Sequence, residues 1–200
     1  TIMDSELKNM GREVSEIFKD SSKLISKIVN NEELNKTICL MVNSIAIAIK
    51  NKKKVLFFGN GGSAADAQHM AGEFISRFMF HRESMPGIAL TTDSSVITSI
   101  GNDYGFDQLF SRQIEGLGNL GDIAIGFSTS GKSPNVIYAL KKSKEKGLIT
   151  FGLTGINGDE MKKYTDLLIK VPSDSVPRIQ EGHLLIGHVI CQLVEDKLFG

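Results

Sequence analysis

Two hundred residues, 41% hydrophobic and 23% charged, are ordinary soluble-protein composition and enough for one domain with a full core. Lys+Arg and Asp+Glu balance at 23 each, without the basic excess usual in a non-specific nucleic-acid binder. No apolar run approaches membrane-span length and no charged start leads into an apolar signal core, so neither nucleic acid nor membrane is expected as a partner. Cys39 and Cys191 both fall in apolar helical stretches, the usual setting of reduced core thiols, and favour a cytoplasmic location.

Taken in chain order, residues 4–29 and 32–51 carry apolar side chains at helical spacing, among them Leu7, Met10, Val14, Ile17 and Phe18. Lys54–Phe58 is a short apolar run without helical periodicity, hence a buried strand, closed by Gly59-Asn-Gly-Gly-Ser63 and followed by a helix over 63–79. A strand is expected at 87–91, helical stretches at 93–118, a strand at 122–127 and a helix at 133–146. Strand 148–153, a short helix near 158–163, strand 166–171 and a helix over 177–198 complete the chain. Apolar strands alternating with helices predict an α/β fold, a three-layer doubly wound sandwich around a parallel five-stranded sheet. No linker or repeat divides it, so residues 1–200 form a single domain. In it, helices 4–51 serve packing and oligomerisation, and 52–198 form the α/β core. Lys50–Lys54 is expected to be a solvated helix end rather than a nucleic-acid patch, and His81 a surface residue.

Phe127-Ser-Thr-Ser-Gly-Lys-Ser-Pro-Asn135 joins a strand to a helix with four hydroxyls. Ser133 and Pro134 are N-cap and first helical position, and Gly131 admits close backbone approach. Ser128, Thr129, Ser130 and Ser133, with the unpaired N–H groups of the helix start, make a cup suited to phosphate; Lys132 either helps neutralise it or is an ordinary exposed lysine. Two motif matches compete. Gly126-x-x-x-x-Gly131-Lys132-Ser133 fits the nucleotide-binding P-loop, yet only two strands follow it and no downstream strand ends in a magnesium-binding Asp. Gly59-x-Gly61-x-x-Ala64 fits the looser dinucleotide fingerprint, with Asp93 about ten residues too late to hold a ribose. One ligand touching both loops is the simpler account.

His69 and Glu73 lie one helical turn apart on a shared face, as do Gln180 and His188 on the last helix, two turns apart. His183 points away from His188 and is expected to be structural. His188 sits in the apolar run 184–193, where a satisfied core histidine is the plainer explanation. The alternative is that His69, Glu73, Gln180 and His188 converge on a divalent metal, for which two imidazoles with oxygen ligands suit zinc. Spacing places groups within each helix and leaves open whether the two helices meet.

Gly59–Phe74 (GNGGSAADAQHMAGEF), Gly101–Phe106 (GNDYGF), Phe127–Ser133 and Arg178–His183 (RIQEGH) together resemble the phosphoheptose isomerase family of the sugar-isomerase (SIS) fold, over residues 30–195. The resemblance implies isomerisation of sedoheptulose 7-phosphate to D-glycero-D-manno-heptose 7-phosphate. That is the first step toward ADP- or GDP-heptose for bacterial surface polysaccharide, in lipopolysaccharide or capsule. It implies a homotetramer with interface active sites, Glu73 and His188 as the acid–base pair, and one zinc per subunit on His69, Glu73, Gln180 and His188. It implies phosphate on Ser128, Thr129, Ser130 and Ser133, and the sugar on Asn60, Gly61, Gly62, Ser63, Asp103 and Gln180. Pro177 stands where some members carry an Asp, with Asp174 nearby. The rival reading is a non-catalytic SIS protein, a phosphosugar binder or replication-initiation adaptor, and the presence of Glu73 and His188 argues for the enzyme.

Overall fold

The computed structural model describes residues 2–200, Ile2 by its backbone alone. Two helices lead, α1 (Ile2–Val29) and α2 (Glu32–Lys50), the second capped by Asn31, whose side chain accepts from Leu34 N. The core follows as β1 (Val55–Gly59), α3 (Gly62–Ile75), β2 (Gly87–Ala89), α4 (Ser94–Asp103), α5 (Leu109–Leu117), β3 (Ile123–Ser128), α6 (Pro134–Glu145), β4 (Ile149–Gly155), β5 (Leu167–Val171) and α7 (Val176–Phe199). All strand pairs are parallel, in the order β2-β1-β3-β4-β5. The predicted α/β sandwich with two extra helices is the observed one.

Alternation along the strands builds a core on each face of the sheet. Val55 and Phe57 pack with Phe74, Phe127, Ile186 and Ile190 beneath α2, α3 and α7. Leu56 and Phe58 face the other way, against Phe110, Val136 and Leu140 of α5 and α6. Each such fully buried side chain contributes about 1.5–3 kcal/mol. The helices that follow the neighbouring strands β1 and β3 therefore lie on opposite faces. This strand order places a ligand crevice between those strands, at their carboxyl ends.

Some boundaries differ from expectation. The helix predicted over 63–79 ends at Ile75, because Arg82 folds back and donates to the carbonyls of Glu73, Phe74 and Ser76 that would continue it. The 93–118 stretch breaks at Tyr104–Gly105, where Gly105 takes φ +88°, and continues through a 3-10 turn at Phe106–Gln108. The short helix near 158–163 is likewise a 3-10 segment, Asp159–Tyr164. Cys39 is exposed, not core: about 100° round from Ile38, it lies past the edge of the buried stripe of α2. Cys191 is buried as expected, and neither thiol is in a disulfide. Lys54 is not merely solvated; its ammonium pairs with buried Asp122 at 2.5 Å, joining the starts of β1 and β3. His81 is exposed.

Candidate active site

The loop after β3 is held by its own hydroxyls. Ser128 Oγ lies 2.9 Å from Ser133 Oγ and accepts from Gly131 N at 3.1 Å, while Ser130 Oγ accepts from Lys132 N at 3.1 Å. Ser133 occupies the N-cap position of α6, yet its hydroxyl turns back to Ser128 and makes no cap hydrogen bond. The first-turn N–H groups of α6 thus have no side-chain cap, the arrangement in which a helix N-terminus receives an anion. Gly131 holds φ +68°, and a Cβ there would sit 2.5 Å from Gly158 Cα. Beside the loop opens a cavity of about 250 Å³ lined by Thr129, Ser130, Lys132, Asn157, Ser173 and Asp174.

The loop after β1 runs alongside. Asn60 and buried Asn135 exchange two amide hydrogen bonds, at 2.8 and 2.9 Å, tying the Gly-rich loop to the start of α6. Gly61 begins α3 at φ 56°, and Ser63 is buried in its first turn. A Cβ on Gly62 would lie 2.4 Å from Nε2 of Gln180, so the Gln180 amide of α7 rests against the start of α3 and would have to move for any larger residue. Asp93, the ribose candidate of the dinucleotide reading, instead caps α4 by accepting from Val96 N at 3.1 Å.

Helices α3 and α7 do meet. His69 Nε2 lies 2.9 Å from His188 Nε2 and 3.1 Å from Glu73 Oε1, with the ligand atoms of all three residues within 4.8 Å of one another. Phe78 covers His188, ring centroids 5.3 Å apart. His188 and Glu73 are partly buried and His69 is exposed, so the cluster is open to a substrate. Two imidazole nitrogens and a carboxylate oxygen within 4.8 Å of one another are a donor set that could hold a metal ion. They also suffice for proton transfer at adjacent atoms.

Other residues lie apart. Asp103 is exposed at the end of α4, its carboxylate accepting from Asn102 Nδ2 at 2.8 Å. Lys132 is exposed, and Pro177 opens α7 near its N-terminus. His183 is fully buried beside Phe127, and burial lowers its pKa to about 4, the nearby Thr154 main chain acting in the opposite sense. Sequence reasoning missed Asp66, one turn before His69 on α3. Burial raises its carboxyl pKa to about 6, with His69 acting in the opposite sense, and Oδ2 has no hydrogen-bond partner. The signal was an acid among the mostly apolar residues Ala67, Met70, Ala71 and Phe74 of the buried side of α3.

Comparison with known proteins shows which family this chain resembles. The SIS domain family matches residues 17–155. The phosphoheptose isomerase of Burkholderia pseudomallei (strain 1710b) is 49% identical over 187 residues, 94% of this chain and 95% of that protein. That of Aneurinibacillus thermoaerophilus is 52% identical, over 91% and 92% of the two chains. Among solved structures, phosphoheptose isomerase GmhA from Neisseria gonorrhoeae superposes with a TM-score of 0.87 at 37% identity, covering 94% of this chain and 99% of its own.

Proposed function

The chain belongs to the SIS-domain family and, within it, to the phosphoheptose isomerases, and from that membership we propose how its residues interconvert sedoheptulose 7-phosphate and D-glycero-D-manno-heptose 7-phosphate. The observation that carries the reading is the meeting of His69 and Glu73 of α3 with His188 of α7, ligand atoms within 4.8 Å of one another, in a chain that also carries the hydroxyl-rich loop after β3. Phosphate is held by Ser128, Thr129, Ser130 and Ser133 together with the N–H groups opening α6. Asn60, Gly61, Gly62, Ser63 and Gln180 line the sugar, and Asp103 takes one hydroxyl.

Aldose–ketose exchange moves one proton between C1 and C2 and one between their oxygens, through an enediol. Glu73 takes the carbon-bound proton and returns it to the neighbouring carbon. His188 moves the proton on oxygen. Reach is set by geometry: both groups face one point, so neither carbon nor oxygen has to travel between steps. His69, Glu73 and His188, with Gln180 from the same face of α7, would hold one zinc ion per subunit, which supplies polarisation of the substrate oxygens when bound.

The exposed stripe of α1, with Leu7, Met10, Val14 and Ile17 each about half accessible and Phe18 71% exposed, supports assembly into a tetramer with sites at the interfaces. Two unpaired thiols suit a reducing, cytoplasmic setting. In that setting the product supplies the first intermediate of activated heptose for surface polysaccharide.

The test is an NMR time course of sedoheptulose 7-phosphate with the protein in D2O. New aldose anomeric signals with deuterium at C2 are expected. An unchanged spectrum from folded, zinc-supplied protein would transfer the reading to a non-catalytic phosphosugar-binding or adaptor role.

A further inference from the structure

Seven residues, two helical turns, separate His188 from Glu195, so both project from one side of α7. Glu195 has no exposed surface, and its partner is the Arg82 side chain, 1% exposed, with Nε donating to Oε1 at 2.9 Å. The remaining guanidinium donors go to main-chain carbonyls: Nη2 to Glu73 at 2.7 Å, and Nη1 to Phe74 at 2.8 Å, to Ser76 and to Glu83. Glu195 in turn accepts from Phe78 N at 2.9 Å and Met79 N at 2.6 Å. One buried pair thus ends the helix that carries His69 and Glu73, grips the main chain of Glu73 itself, and seats the Phe78 ring against His188.

We infer that Arg82 and Glu195 are positioning residues for the isomerisation: they lock the end of α3 to α7, fixing the Glu73 carboxylate and the His188 ring at the separation proton transfer needs. A buried ion pair is a weak device for stability, since apolar replacement of both partners is often neutral. A planar fork that satisfies three or more acceptors in fixed directions is a strong device for geometry, which an ammonium cannot reproduce. Neither residue touches substrate. The effect therefore falls on the chemical step and spares the phosphate loop, to which neither side chain bonds.

The inference rests on the isomerase reading, and its test separates the two. Arg82→Lys and the apolar pair Arg82→Met/Glu195→Leu are compared with the parent protein. Three measurements are made: thermal stability, kcat and KM for sedoheptulose 7-phosphate, and imidazole 15N shifts of His69 and His188 in metal-free protein. The expected result is kcat lowered about 10–100-fold, as for loss of groups that orient catalytic ligands, with KM within about threefold. Altered His69 and His188 shifts should accompany it. Folded variants with parental kcat and parental shifts would overturn the inference, whatever their melting temperature. Should the apolar pair not fold, Arg82→Lys gives the answer alone. Should the parent protein not turn over the sugar, the isomerase reading fails, and the imidazole shifts still decide whether the pair positions the cluster.

Discussion

Glu73 and His188 differ from ordinary helix residues only in what they face. A carboxylate one turn from His69 was legible from spacing alone, since 3.6 residues per turn fixes which side chains share a side. Glu73→Gln keeps the size and hydrogen bonding of the side chain but removes its basicity. Turnover should fall by about 10²–10⁴-fold with an unchanged melting curve, and substantial remaining isomerase activity would take Glu73 out of the mechanism. His183 shows the opposite outcome, a histidine beside the site with a structural role. Its pKa drops from the ordinary 6.5 to about 4 because burial disfavours the imidazolium. Unfolded chains take up the proton below pH 6.5 and the folded one does not until about pH 4, so stability is full above that window and falls as pH is lowered through it. The fall is worth about 3 kcal/mol. Urea midpoints at pH 7 and pH 4.5 should therefore shift more in the parent than in His183→Phe. Equal shifts would mean His183 is protonated, or already solvated, when folded.

Element boundaries were the less legible part of the chain. The Gly-rich loops were readable because turn chemistry is local: Gly131 needs a left-handed conformation, and Ser-Pro marks a helix start. The end of α3 was not, because Arg82, nine residues beyond Glu73, stops it from outside. Cys39 was misplaced for a related reason, as apolar neighbours on a helix do not reveal how wide its buried stripe is. At the phosphate loop, Gly131→Ala sets a Cβ 2.5 Å from Gly158 Cα at φ +68°. A cost of about 2 kcal/mol follows, lowering the melting temperature by roughly 4–8 °C. KM for the sugar phosphate should rise, since the cup must shift to relieve the contact. A variant with parental KM would show that the loop backbone does not hold the phosphate.

At the scale of the molecule, the two loops lie side by side because β1 and β3 are neighbours, while their helices leave on opposite faces. The amide pair Asn60–Asn135 then holds the loops together, 75 residues apart in the chain. Assembly is the remaining variable. Ile17→Glu with Phe18→Glu places two charges in the exposed stripe of α1, where neither side chain belongs to the buried core. Light scattering should show dissociation to smaller species with helix content retained, and activity should fall with it if sites are shared across the interface. An unchanged mass would assign the α1 stripe to some other contact.

Periodicity, turn chemistry and residue type belong to the sequence itself, so the alternating α/β order, the hydroxyl-rich loop before α6 and the His69–Glu73 pair were determined there. Family membership was legible for the same reason, since its motifs are local strings. Tertiary structure alone decided that α3 and α7 approach closely enough to set His69 Nε2 2.9 Å from His188 Nε2. It alone decided that Arg82 and Glu195, 113 residues apart, form the buried pair joining those helices. Contacts between distant segments depend on the packing of whole faces, and no spacing along one helix encodes them.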